Sequence, residues 1–155
     1  MTKEQCCFFT GHRIIPLSER AELKKALEST IKQLIENNNV KYFITGGALG
    51  FDTLAANIVI NLRKKYDIKL VLFLPCRNQT AKWSLRDVKE YERILDFSDE
   101  HYYISDEYTK ECMLKRNRRM ADSSAFCVSY LRKNFGGTSY TVNYATNNGV
   151  DIISL

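Results

Sequence analysis

The chain has 155 residues, of which 23 are Lys or Arg and 18 are Asp or Glu, so its formal net charge is +5. A hydrophobic share of 45% is typical of a globular protein, and only two prolines and seven glycines exclude a collagen-like or low-complexity chain. No apolar run approaches the roughly 20 residues that a membrane helix requires. The length favours a single domain over residues 1–155, because domains most often have about 100–150 residues.

The cysteines and the N-terminal residues indicate the compartment. Five cysteines form an odd set without a C-x-x-C pair and without a metal-ligand spacing that includes histidine. Residues 1–5 lead directly into a strand-like run, without the small-residue cleavage site of a secretory signal. We therefore expect reduced thiols, most of them buried, in a cytoplasmic protein that has no metal site, no cofactor and no membrane partner.

Short strand-like runs alternate with helical patterns along the chain. The expected strands are residues 5–10, 40–45, 68–74, 101–105, 125–131 and 151–155. The expected helices begin at an N-cap at Ser18 and then at residues 51, 84, 109 and 138. Near-continuous apolar strands are typical of a sheet that is buried on both faces. Strands that alternate with helices predict right-handed crossovers, and hence an α/β Rossmann-like domain with a mainly parallel sheet and helices on both faces.

Ligands of such sheets bind at the carboxyl ends of the strands. The first strand ends in Thr10, Gly11, His12 and Arg13. A glycine directly after a buried strand allows a sharp turn and a close approach of backbone N–H groups to a ligand. Arg13 has the forked guanidinium that binds phosphate. The alternative for this segment is a plain turn with a solvated arginine.

The strongest signal follows the second strand, where three glycines lie within five residues directly before an amphipathic helix. This arrangement predicts a loop whose backbone N–H groups hold a phosphate at the positive end of a helix dipole. Its spacing matches neither the dinucleotide fingerprint nor the P-loop. The acidic side chain at the helix start either occupies the loop amides itself or binds a ribose hydroxyl. The candidate ligand contacts here are Gly46, Gly47, Leu49, Gly50 and Asp52.

The third strand and the fourth helix add further candidates. Arg77 follows the third strand and is placed to meet a phosphate, while Trp83 either stacks on a base or packs in the core. Helical spacing puts Asn117 on the inward face of its helix, either bonded to a loop backbone or facing the ligand, and puts Arg116 beside the crevice.

A second pair of glycines precedes the last helix. Gly136, Gly137 and Thr138 repeat the pattern of an anion site at a helix N-terminus. Two such loops in one short chain predict a shared site for a phosphate-bearing ligand of nucleotide size.

Taken in order, the segments 10–13, 46–52, 116–120 (RNRRM) and 136–138 resemble the SLOG superfamily of Rossmann-like domains. That superfamily joins the DNA-processing protein A (Smf) proteins to the Lonely Guy phosphoribohydrolases, and the likeness is strongest to its small stand-alone bacterial members of unknown function. The resemblance covers nearly the whole chain and implies a nucleotide-derived ligand at the strand ends.

The sequence departs from the Lonely Guy pattern P-G-G-x-G-T-x-x-E at residues 135–141. Phe135 replaces the proline, one glycine is missing, and Thr141 stands where the resemblance implies a catalytic glutamate. Without that carboxylate the usual stabiliser of the oxocarbenium-like transition state is absent. The chain therefore favours binding or sensing of a nucleotide-like small molecule over catalysis.

Two alternatives stay open. One is a nucleoside-monophosphate hydrolase with a rearranged acid or base at Asp52 or Asp122. The other is single-stranded nucleic-acid binding, which the positive charge and several tyrosines suggest. We also expect a homodimer, since Rossmann-like domains of this kind often pair.

Overall fold

Six parallel strands form one sheet in the order β4-β3-β2-β1-β5-β6. The computed structural model describes all residues, Met1–Leu155. The strands are β1 (Cys6–Gly11), β2 (Tyr42–Thr45), β3 (Lys69–Leu74), β4 (Glu100–Tyr103), β5 (Phe126–Tyr130) and β6 (Asp151–Ser154). The helices are α1 (Leu17–Asn38), α2 (Phe51–Leu62), α3 (Leu85–Phe97), α4 (Cys112–Asp122) and α5 (Gly137–Asn147), and a short 3-10 helix spans Lys3–Gln5. The predicted α/β class is confirmed.

Helices cover both faces of the sheet, as the apolar strands predict. Neighbouring side chains of β1 point to opposite faces, because side chains alternate along a strand. Phe9 packs in a cluster of 22 buried residues together with side chains of α1, α2 and α3. Phe8 packs in a cluster of 10 buried residues together with side chains of α4 and α5. No helix combines the length and the apolar character that crossing a bilayer requires.

Two helix starts differ from the sequence prediction by more than one residue. The N-cap of α1 is Pro16 rather than Ser18, and its carbonyl accepts the N–H of Glu19 at 2.9 Å. Proline fixes φ near the value that the first turn needs, so the chain enters the helix earlier than a serine cap indicates. α4 begins at Cys112, three residues later than predicted, after a turn in which Cys112 N–H bonds to the carbonyl of Thr109.

The chain changes direction across the sheet at β1. β1 pairs with β2 on one side and with β5 on the other. The connection after β1 leads to α1 on one face, and the connection after β5 leads to α5 on the opposite face. Because these connections diverge, a crevice opens between the carboxyl ends of β1 and β5.

Candidate functional site

Two cavities open at the carboxyl ends of the strands. The β1/β5 cavity has a volume of about 320 Å³ and lies between the end of β1, helix α4 and the start of α5. The α2/α3 cavity has a volume of about 380 Å³ and lies on the opposite face, between the start of α2 and helix α3. Arg13, Ala48 and Asp52 line both cavities.

The β1/β5 cavity collects most of the candidate residues from the sequence. They are Thr10, Gly11, His12, Arg13, Asp52, Arg116, Asn117, Gly137 and Thr138. Gly47, Leu49 and Gly50 line the α2/α3 cavity instead, while Gly46, Gly136 and Arg77 line neither. Met113 and Met120 of α4 also line the β1/β5 cavity, although nothing in their apolar pattern distinguished them from core residues.

Arg77 lies away from both cavities. Its guanidinium stands 4.2 Å from the centre of the Tyr103 ring, and its Nε is 3.5 Å from the carboxylate of Asp106. Both side chains of this ion pair are mostly exposed. The position after β3 therefore does not bring Arg77 to the crevice.

Arg116 is the buried cation of the site, with only 5% of its surface exposed. Its guanidinium donates to the carbonyl oxygen of Gly46, and a Cβ at position 46 would overlap the guanidinium. Its Nε donates to Oδ1 of Asn117 at 2.8 Å. Asn117 is only half-buried, so the order of burial on α4 is the reverse of the prediction. The buried face of α4 contains Cys112, Arg116 and Met120, which are four residues apart. This spacing could have identified Arg116 as buried, but its charge argued for an exposed position.

Asp52 occupies the glycine loop after β2. One oxygen of its carboxylate accepts the N–H of Gly46 at 3.0 Å and the N–H of Ala48 at 3.2 Å. Burial raises the pKa of Asp52, and the charge of Arg116 and the two amides act in the opposite direction. Of the two roles predicted for Asp52, its contacts match occupation of the loop amides. The carboxylate fills the loop, and these two N–H groups are not free for a phosphate.

The start of α2 is held against the loop that follows β1. Phe51 N–H donates to the carbonyl of His12 at 3.1 Å. Gly50 has a φ of 76°, and a Cβ there would overlap the carbonyl of Arg13. Only glycine combines this backbone conformation with so close an approach. The wall between the two cavities is thus made largely of backbone.

His12 joins the ends of β1 and β5. Its Nε2 accepts the backbone N–H of Arg132 at 2.8 Å, and its ring packs edge-on against Tyr130 at 5.7 Å between ring centres. Burial lowers the pKa of His12, and the nearby charges of Lys133 and Arg132 lower it further. The neutral imidazole suits this acceptor role, so His12 organises the cavity wall.

The N-terminus of α5 is open towards the β1/β5 cavity. Gly136 has a φ of 93°, and no atom lies within 4 Å of a Cβ built at Gly136 or Gly137. No side chain caps the helix, and no protein group accepts the N–H groups of Gly137, Thr138 and Ser139. Free N–H groups at the positive end of a helix form a site for an anion.

The residues weighed for hydrolysis do not meet in the cavity. Thr141 is buried, and its hydroxyl donates to the carbonyl of Gly137 at 2.7 Å. Asp122 accepts a hydrogen bond from the hydroxyl of Tyr144 at 2.8 Å and lines neither cavity. Asp52 is the only carboxylate that lines the β1/β5 cavity.

Two solved structures share this fold. DNA processing protein A from Streptococcus pneumoniae superposes with a TM-score of 0.71 at 18% identity, over 98% of this chain and 50% of that chain. The same protein from Helicobacter pylori, described for its single-stranded DNA binding mode, gives 0.69 at 17% identity, over 98% of this chain and 65% of that chain. The chain thus spans about half to two thirds of these structures, and the likeness establishes the fold.

Sequence relatives and a family model define the family. The chain is 35% identical over 137 residues to the uncharacterized SPbeta prophage-derived protein YoqJ of Bacillus subtilis, and the alignment covers 80% of each chain. It is 32% identical over 131 residues to a UPF0398 protein of Halalkalibacterium halodurans, and this alignment covers 79% of this chain and 67% of the relative. The model of the YspA SLOG family matches residues 7–151 and confirms the resemblance seen in the motifs. The chain belongs to the YspA SLOG family.

Proposed function

We propose that the protein binds the phosphate group of a nucleotide or nucleotide-derived small molecule in the β1/β5 cavity, as a binding or sensing module. One observation carries the proposal. The N–H groups of Gly137, Thr138 and Ser139 lack a protein acceptor, and they begin a helix that opens on a cavity lined by Arg116. A phosphate bound there would accept hydrogen bonds from these N–H groups and be stabilised by the positive end of the α5 dipole.

The charges around the cavity favour an anion. Arg116 is buried, and its Nη2 has only the sulfur of Met113, at 3.8 Å, as an acceptor. Arg13 is exposed at the edge of the cavity and makes no ion pair. Asp52 is the single carboxylate opposite these two arginines, and its charge is already stabilised by two amides. An arriving phosphate therefore compensates the remaining positive charge.

The size of the cavity and its chemistry support a small phosphate-bearing ligand. Its volume of about 320 Å³ lies at the lower end of the range of about 300–1,000 Å³ that small-molecule sites occupy. The oxygen of Asp52 that would act as a base already accepts two N–H groups. These features support binding over glycosidic hydrolysis, since no second carboxylate faces the cavity.

Calorimetric titration with AMP, GMP, ADP and cyclic nucleotides tests the proposal. Thr138→Glu places a carboxylate at the N-terminus of α5, which suits the helix dipole and keeps the fold but excludes a phosphate. Arg13→Ala removes one charge-assisted contact and should weaken binding by about tenfold. Arg86 is an exposed arginine that lines neither cavity, so Arg86→Ala is the matched control.

Two results would refute the phosphate site. One is the absence of binding to the wild-type protein at millimolar nucleotide. The other is an affinity that Thr138→Glu and Arg13→Ala leave at the value of the Arg86→Ala control.

A second candidate function, single-stranded nucleic-acid binding, is supported by one surface and one neighbour. The Helicobacter pylori structure is described by its single-stranded DNA binding mode. On this chain, Arg118 donates to the hydroxyl of Tyr140 at 3.0 Å, and the Tyr140 ring stacks on Tyr144 at 6.4 Å between ring centres. Lys115 and Arg119 lie beside Arg118 along α4. Cations next to exposed aromatic rings are the groups that bind single strands.

Fluorescence polarisation with a labelled oligothymidylate separates this function from the first. Binding through these cations should weaken steeply as salt rises, because counterions are released from the phosphates. Arg118→Ala combined with Tyr140→Ala should abolish it while nucleotide binding continues. A salt-independent signal would count against the nucleic-acid function.

A further inference from the structure

The α2/α3 cavity lies on the opposite face of the sheet from the proposed phosphate site. Its volume is about 380 Å³, and half of the residues that line it are hydrophobic. Ala56, Leu72 and Ile94 form its apolar part, where α2, β3 and α3 meet. The backbone contact between Gly50 and Arg13 separates it from the β1/β5 cavity. The N–H groups of α5 that are proposed to bind the phosphate do not line the α2/α3 cavity.

A polar group without a partner faces the α2/α3 cavity. Thr45, the last residue of β2, is 0% exposed, and its hydroxyl has no hydrogen-bond partner. Thr45 lines the cavity among hydrophobic side chains. Burying a hydroxyl without a partner reduces the stability of the fold, and a hydrogen bond to a ligand in this cavity would offset that cost.

The side wall of the cavity is aromatic. Trp83 and Tyr91 both line it, with 5.6 Å between their ring centres and an angle of 87° between the rings. Both side chains are half-buried, so each leaves ring surface towards the cavity. Flat aromatic surfaces favour a flat ring as the partner.

The charged groups of the cavity do not demand a charged ligand. Glu90 is already bound by Arg93 and Asn57, and Asp52 by the amides of its loop. Arg20 and Asp87 carry opposite charges and make no ion pair within the protein, and the unpaired Arg13, which also lines the β1/β5 cavity, is exposed to solvent. A neutral ring therefore leaves no buried charge uncompensated in this cavity.

We propose that the α2/α3 cavity is a second binding site, which takes a neutral, flat nitrogen heterocycle of nucleobase size in the form of a nucleoside. The hydroxyl of Thr45 bonds to a ring nitrogen or an exocyclic group, and Trp83 contacts the ring. The two cavities share Arg13, Ala48 and Asp52, but the second site needs no phosphate, so ligands without a phosphate test it separately.

Trp83 is the only tryptophan of the chain and lines this cavity alone, so its fluorescence reports on this site. The probes are adenosine, guanosine, cytidine and uridine, which carry no phosphate. At least one of them should change the Trp83 emission saturably. Thr45→Val keeps the shape of the side chain without the hydroxyl and should weaken that nucleoside by about three- to tenfold.

The matched control removes a similar hydroxyl elsewhere. Ser129 is also buried with an unpartnered hydroxyl but lines neither cavity, so Ser129→Ala should leave nucleoside affinity unchanged. Thr138→Glu should abolish nucleotide binding through the phosphate but leave nucleoside affinity unchanged. This variant therefore separates failure of one site from failure of the other. Trp83→Leu, measured by calorimetry, should lose nucleoside binding even if Thr45→Val proves unstable.

The proposal is overturned by either of two results. One is that no nucleoside gives a saturable change at millimolar concentration. The other is that Thr45→Val and Trp83→Leu bind the nucleoside as tightly as the wild-type protein.

Discussion

The carboxylate of Asp52 accepts the backbone N–H of Gly46 at a distance of 3.0 Å. Asp52 lies in the first turn of α2, whereas Gly46 directly follows β2, so this bond fixes the loop between them. The same carboxylate oxygen also holds the N–H of Ala48. The glycine loop after β2 is thus closed by the protein's own anion.

Asp52→Ala should destabilise the protein by about 3–5 kcal/mol, because it leaves two N–H groups unpaired and deprives the buried Arg116 of its counter-charge. Asp52→Asn keeps an acceptor for both N–H groups and should cost less than Asp52→Ala. Urea unfolding followed by circular dichroism measures both values. A loss below about 1 kcal/mol for Asp52→Ala would contradict the structural role of this carboxylate.

Gly46→Ala should destabilise the protein by about 1–3 kcal/mol, because the added methyl group overlaps the guanidinium of Arg116. The displaced guanidinium would lose its bond to the carbonyl of residue 46. Gly137→Ala is the matched control, since its methyl group meets no atom within 4 Å. Thermal unfolding of the two variants checks the difference, and equal melting temperatures would show that Arg116 adapts without cost.

The stability of the protein should fall as the pH drops below the ordinary His12 pKa of 6.5. The folded state holds the pKa of His12 below that value, so on acidification the unfolded chain takes up a proton before the folded chain does. Stability is therefore lost as the pH falls from 6.5 towards the lower pKa of the folded state.

Unfolding free energies of the wild-type protein and His12→Gln across this pH range test the prediction. The variant retains a side-chain acceptor for Arg132 N–H but no imidazole, so its stability should vary less with pH. Identical pH dependences would exclude His12 as the source of the loss.

All five cysteine side chains should resist a thiol reagent in the native protein. Cys6, Cys7, Cys76, Cys112 and Cys127 are each buried without a disulfide. Burial also raises the pKa of Cys6 to about 11, which lowers the fraction of reactive thiolate. Absorbance after addition of Ellman's reagent should show slow reaction in buffer and five thiols in denaturant. A rapid reaction of one thiol in buffer would reveal a local opening of the fold.

Much of the fold is predictable because its four central strands, β1, β2, β3 and β5, are buried apolar runs. The edge strands β4 and β6 are largely exposed and have a weaker pattern, but all six predicted starts lie within two residues of the observed ones. The start of α1 was less accurate, because Ser18 has the composition of a cap but Pro16 directs the chain into the helix. The single-domain organisation and the homodimer stay predictions.

The site was predictable in position but not in its internal contacts. Strand ends, glycines and helical spacing predict nine candidate residues that line one cavity. The burial of Arg116 depends on the carbonyl of Gly46, 70 residues earlier in the chain, and no local pattern reveals such a partner. A charged residue in a sequence predicts a solvent-exposed side chain, because an unpaired charge is costly to bury. An arginine that meets a carbonyl oxygen and a nearby carboxylate can be buried.

The central position of β1 has a consequence for the synthesis of the chain. β1 is synthesised well before β5, yet its Thr10 pairs with Ser129 of β5. Any fragment that lacks β5 leaves one edge of this apolar strand without hydrogen bonds and prone to pair with other chains. The sheet around β1 is therefore completed only after β5 has been synthesised, and until then this edge of β1 is open to pairing with other chains.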